Sequence, residues 1–187
     1  EKIRLTPMMF DFLEISGNYK QENDLREEYF LWSTNIAQHK NHKKAFEALL
    51  SYYEAGGRLS CVVTGANTGL LDIQISDKQL EENLNPYVRE LREIIRQNGD
   101  LKKRLIIKGN LPKKQYGKVL SKAKFVFHPG FADNGNGTAI DAACLGIPTI
   151  CSDYPAMRYV DQYIGLGIHF FNPFDEKSIA EMLEKAE

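Results

Sequence analysis

Short apolar runs alternate with helical patterns along the whole second half and most of the first half of this chain, and that alternation restricts its fold more than any other feature. The apolar runs are Glu28–Thr34, Leu59–Thr64, Arg104–Lys108, Phe125–His128, Pro148–Cys151 and Ile168–Phe171. Between them, His42–Ala55 has helical spacing and is stopped by Gly56-Gly57, and Asp77–Gln97 reads as one long polar helix with Ser76 and Gln79 as a capping box. Lys113–Lys122, Thr138–Leu145 and a segment from about Asp175 complete the helical set. Strands that are apolar nearly throughout are buried on both faces, which a parallel sheet between two layers of helices provides. The expected class is therefore α/β, a doubly wound parallel sheet of about six strands spanning residues 27–187. Residues 1–26 hold Pro7, two methionines and a polar stretch, Gly17–Arg26, and read as a linker or crossing segment.

Composition excludes several function classes. The chain is 43% hydrophobic and 26% charged with a formal net charge of −1, and its charges are interspersed. A partner that is extended nucleic acid calls for a basic stripe, and none is present. No apolar run approaches membrane-spanning length and no signal peptide is visible. Cys61, Cys144 and Cys151 cannot all pair within one chain, and each sits in an apolar run as a small core residue would.

Ligands of open parallel sheets bind outside the carboxyl ends of the strands. The segments following each run here are rich in glycine and small polar residues: Asn35 to His42, Gly65 to Gly69, Gly109 to Pro112, Pro129 to Thr138, and Ser152 to Pro155. The stretch Asp133–Thr138 leads through Asn-Gly-Asn-Gly directly into a helix, whose N-terminal N–H groups suit a phosphate. The same pattern is also that of a tight turn with an ordinary cap, and Thr138 with Asp141 matches a capping box. It has neither the P-loop spacing nor the dinucleotide fingerprint. His39 and His42 stand three apart without a carboxylate or cysteine cluster, so no metal is expected. His128 sits at the edge of the expected site. His169 reads as structural, Lys113-Lys114 as a solvated helix start, and Tyr154-Pro155 as cleft lining or a plain turn.

Taken together, the stretch FVFHPGFADNGNGTAIDAACLGIPTICSDYP from Phe125 resembles the donor-site signature of the retaining GT-B glycosyltransferases, the group 1 or family 4-like enzymes. Asp133 and Asp141 fall on the two positions of that family's Glu-x7-Glu pattern, and Gly146-Ile147-Pro148 on its Gly-x-Pro. The earlier stretch FLWSTNIAQHKNHKKAFEALL resembles the family's first strand and helix, with Lys40-Asn41 on its Lys-Asn/Gly position. The resemblance covers most of Phe30 to Glu184 and implies a Rossmann-like domain, the C-terminal half of a GT-B fold. It implies that Lys40 contacts the donor diphosphate with backbone N–H groups around Gly135, Asn136, Gly137 and Thr138. Asp133 would bind hydroxyls of the transferred sugar, and Asp141 those of the ribose. Gly109, Asn110 and Leu111 would flank the base.

The implied reaction is retaining sugar transfer from a nucleotide sugar, GDP-mannose or a UDP- or dTDP-hexose, without cofactor or metal, in bacterial surface polysaccharide synthesis. The implied partners are that donor and an N-terminal acceptor domain preceding this chain, which would also carry any membrane association. The implied location is the cytoplasm, at the inner face of the membrane. Two features depart from the family pattern. Both glutamates are aspartates, each one methylene shorter, and the arginine common five positions before the lysine is Asn35 here. One diphosphate cation is thus missing or supplied from elsewhere, which leaves a non-catalytic nucleotide-binding or interaction module of the same fold as the alternative reading.

Overall fold

A computed structural model of the chain describes residues 27–75, 78–133 and 137–187; the expected linker 1–26 and the Ser76 cap lie outside the described residues. Six strands, β1 (Tyr29–Ser33), β2 (Ser60–Thr64), β3 (Leu105–Gly109), β4 (Val126–His128), β5 (Thr149–Ser152) and β6 (His169–Phe171), form one all-parallel sheet in the order β3-β2-β1-β4-β5-β6. This order makes the sheet Rossmann-like, with β1 and β4 adjacent at the point where the winding reverses. The expected α/β class and strand number are what the described residues adopt.

Side-chain alternation along β1 divides the core. Phe30 and Trp32 point to one face, where they meet α1 (His42–Glu54), α3 (Pro86–Gln97) and α8 (Glu176–Ala186) through Phe46, Leu49, Leu91, Ile179 and Leu183. Trp32 packs edge-on against Phe46 at 6.0 Å and Phe127 at 5.6 Å, and Phe30 stacks on Phe125 at 4.8 Å. Tyr29 and Leu31 point to the other face, toward Leu120 of α5 (Lys113–Lys122) and Ala142 of α6 (Gly137–Cys144). Burying both faces explains why the strand sequences are apolar at nearly every position. Cys61 and Cys151 are core residues as expected, whereas Cys144 is exposed.

The long polar helix expected over Asp77–Gln97 is instead two, α2 (Lys78–Asn83) and α3. Pro86 cannot continue a helix, because it lacks an N–H and its ring collides with the preceding turn, but it is at home in a first turn. Asn85 caps α3 by accepting from Val88 N at 2.9 Å. Two further helices are absent from the sequence reading, α4 (Gly99–Arg104) and α7 (Pro155–Ile164). The latter starts at Pro155, where a turn was one expectation, and ends at Gly165 in the left-handed conformation (φ 77°).

Arg92 of α3 is fully buried, although it stands in a segment that reads as a polar helix. Its guanidinium donates to the carbonyls of Leu70 and Asp72 at 2.7 Å and of Ile75 at 2.9 Å, and to the Glu81 carboxylate at 2.7 Å. One side chain thereby satisfies the carbonyls of the loop after β2. Arg92→Met should deprive the loop carbonyls and Glu81 of this donor and cost about 3–5 kcal/mol. The expected readout is a lower urea midpoint at unchanged slope.

Candidate functional site

A cleft of about 420 Å3 opens where β1 and β4 end. It lies there because the chain leaves β1 for one face of the sheet and β4 for the other, so the two following loops diverge. Its floor is Ser33 at the end of β1, Thr34 and Asn35 just after it, and Gly65 and Ala66 beyond β2. Its walls are Lys40, His128 and Asp133 on one side and Tyr116 with Gly137, Thr138 and Asp141 of α6 on the other. Gly65 is required in the floor: a Cβ there would stand 1.8 Å from the Thr34 carbonyl oxygen.

Lys40 ends a short 3-10 turn, Gln38–Lys40, and is followed by Asn41 in the left-handed conformation, φ 60°. Only glycine, asparagine and aspartate adopt that conformation readily, which gives a physical reason for the Lys-Asn/Gly pattern. Asn41 is buried, and its amide donates to the carbonyls of Pro129 at 3.0 Å and Pro173 at 2.9 Å. Phe131 N donates to His39 O at 2.8 Å, and the Phe131 ring stacks on Phe174 at 5.0 Å. The loops after β1, β4 and β6 are therefore fastened together, and Lys40 is held toward β4.

Lys40 Nζ meets Asp133 Oδ2 at 2.6 Å, with side-chain exposures of 12% and 25%. His128 Nε2 lies 3.8 Å from the same oxygen and 3.3 Å from the Tyr154 hydroxyl. Burial pushes His128 down to about 4, with Asp133 pulling it up and Lys40 adding to the depression, so the imidazole is neutral at pH 7. Across the cleft, burial pushes the Asp141 carboxyl up to about 6, against the pull of Lys113. Burial raises the Tyr116 hydroxyl to about 12, against the pull of Thr138 and Ser33.

Of the expected site residues, Asn35, Lys40, Asp133, Gly137, Thr138 and Asp141 come together around this one space. Gly135 and Asn136 lie outside the described residues. Gly109 ends β3 and Asn110 and Leu111 follow it, two strands away from β1, and none of the three lines the cleft. Gly109 instead accepts hydrogen bonds from Gly65 N and Thr64 Oγ1, at 2.9 and 2.7 Å. The helix begins at Gly137, which puts Thr138 in its first turn rather than at the cap, and Asp141 faces the cleft instead of closing a capping box. Tyr116 went unnoticed in the sequence because it comes from a helix flank, not from a strand-end loop. His42 is buried against Trp32, with its Nδ1 3.1 Å from the Tyr87 hydroxyl, while His39 is exposed. Among the described residues no group of three or more His, Cys, Asp or Glu side chains could hold a metal, and no helix is long and apolar enough to cross a membrane.

The raised Asp141 carboxyl predicts a stability cost. Its charged form is disfavoured in the folded state, so stability falls as pH rises from the usual carboxylate value through about 6 and is level beyond. Asp141→Asn should therefore melt higher than the wild type at pH 7.5, and the difference should shrink toward pH 4. Melting temperatures of both proteins across that range check it.

Comparison with known proteins places these features. Residues 18–187 match the model of the family described as glycosyl transferases group 1. No curated protein sequence matches the chain. Solved structures share the fold at low identity. Anabaena Alr3699/HepE in complex with UDP is 16% identical with a TM-score of 0.62, over 84% of this chain and 39% of that one. The N-terminal domain of Candida albicans trehalose-6-phosphate phosphatase is 13% identical with a TM-score of 0.69, over 96% and 41%. Sucrose-phosphate synthase from Thermosynechococcus elongatus is 16% identical with a TM-score of 0.61, over 86% and 36%. This chain thus spans about two fifths of the length of these structures.

Proposed function

Because the chain belongs to the glycosyl transferases group 1 family, we propose that its cleft holds the nucleotide-sugar donor of a glycosyltransferase. The observation that carries this reading is the convergence of Lys40, Asp133 and Asp141 on one space at the switch point of the sheet. Lys40 binds the diphosphate, and the first-turn N–H groups of α6 at Gly137 and Thr138 support it. Asp141 accepts hydrogen bonds from the ribose hydroxyls, which its ionised form does best. Asp133 accepts from hydroxyls of the transferred sugar. The Anabaena neighbour that holds UDP and glucose supports a donor of this class.

In this reading the donor is a GDP-mannose or a UDP- or dTDP-hexose, and transfer retains the anomeric configuration. Lys40 and the helix terminus stabilise the leaving diphosphate, and no metal or cofactor is needed. An N-terminal domain of the full-length protein binds the acceptor, and the acceptor is a growing bacterial surface polysaccharide. One observation favours a second reading, a binding module without transferase activity: among the described residues lining the cleft, Lys40 is the single cation, and Asn35 stands where the family's arginine would be. Sugar transfer by the full-length protein decides between the two.

A melting-temperature panel tests the donor site. A nucleotide at about 100 times its Kd adds about 2.7 kcal/mol, which for a chain of this size is roughly 5–10 °C. UDP, GDP, dTDP or CDP, free or sugar-linked, should produce such a shift with the wild type. Lys40→Ala should weaken binding about 10- to 100-fold, and Asp141→Ala about tenfold or more. No shift with any of these ligands would overturn the reading. Affinity should also climb with pH through about 6 and then level off, and Asp141→Asn should flatten that profile.

A further inference from the structure

In the cleft, the two groups that would hold the adjoining diphosphate and sugar of a donor hold each other. Lys40 Nζ sits 2.6 Å from Asp133 Oδ2, with both side chains largely withdrawn from water. An ion pair so placed is screened far less than a surface pair. Neighbouring groups favour its persistence. Asn41 fixes the backbone beside Lys40 through two carbonyls on other loops, and His128 stands 3.8 Å from the same Asp133 oxygen, itself in contact with the Tyr154 hydroxyl.

We infer that Asp133 is a specificity-determining residue that sets the site against free nucleoside diphosphate and in favour of the sugar-linked donor, by competing for Lys40. The inference rests on the donor-site reading given above. A diphosphate reaching Lys40 must displace the Asp133 carboxylate. When the diphosphate carries a sugar, the displaced carboxylate is offered sugar hydroxyls to accept from, and the lost ion pair is replaced. When it carries none, Asp133 faces a terminal phosphate with one more negative charge than the sugar ester has. It then loses its cation and gains a like charge within a few ångströms. Discrimination of this kind combines an attraction toward one ligand with a repulsion against the other. It acts on the reaction's product as well: once the sugar has left, Asp133 retakes Lys40 and the spent diphosphate is displaced.

Isothermal titration of the full-length protein with UDP and UDP-glucose, and with GDP and GDP-mannose, tests this. Asp133→Asn should bind the free diphosphate about threefold to tenfold more tightly than the wild type does, and the sugar-linked form about tenfold more weakly. The preference between the two members of a pair should thus move at least tenfold toward the free diphosphate. Asp133→Ser, which also removes the charge, should move it the same way and covers the case in which one variant folds poorly. Weakening of both ligands by a common factor, or a preference unchanged within about twofold, overturns the inference while leaving the donor site standing. A wild-type protein that binds none of the four ligands overturns the donor-site reading and this inference with it.

Discussion

The adjacent strands β1 and β4 have helices over both faces, and the rest of the domain is arranged around that double burial. Phe30 and Trp32 need one layer of helices, and Tyr29 and Leu31 need another. A chain that covers both faces of a parallel sheet with right-handed crossovers must reverse its winding somewhere. The reversal falls between β1 and β4 because β4 is the first strand laid down on the far side of β1. The cleft follows from this geometry, since loops that depart toward opposite faces cannot fill the space between them. The hydrophobic requirement thus creates the site before any polar residue is placed in it.

What the polar residues add is position and charge state. The buried amide of Asn41 fastens the loop that carries Lys40 to two others, so a lysine that would wander on an open loop is directed at Asp133. Burial keeps His128 neutral and leaves Asp141 titrating near 6. Both departures from ordinary values come first from desolvation, and a carboxylate kept partly dry is a local cost to stability. Such costs gather where a ligand is meant to supply what the protein withholds.

The sheet was legible because period and composition report burial directly: all six apolar runs became strands, with no end off by more than one residue. The site was legible where its residues follow strands. Lys40, Asp133 and Asp141 are 101 positions apart at their extremes, and only the strand-end rule and the family resemblance placed them together. The reading failed where one residue overrides the local pattern. Pro86 splits a helix whose periodicity looked continuous, and Pro155 starts a helix where a turn was an equal expectation. Arg92 looks like any solvated arginine until the loop carbonyls beneath it are known. Tyr116 was equally invisible, since nothing in a helical tyrosine's neighbours in sequence says which cleft it overlooks.

The charge content of the cleft has a kinetic consequence. Its described lining carries one lysine against two aspartates, and the Lys40 charge is already engaged. Among the described lining residues an approaching anion therefore meets little net positive charge, unlike in the cation-rich funnels that accelerate encounter. Arrival is left to ordinary diffusion and should respond little to ionic strength. Whatever selectivity such a site has is exercised after contact, in how long each ligand stays.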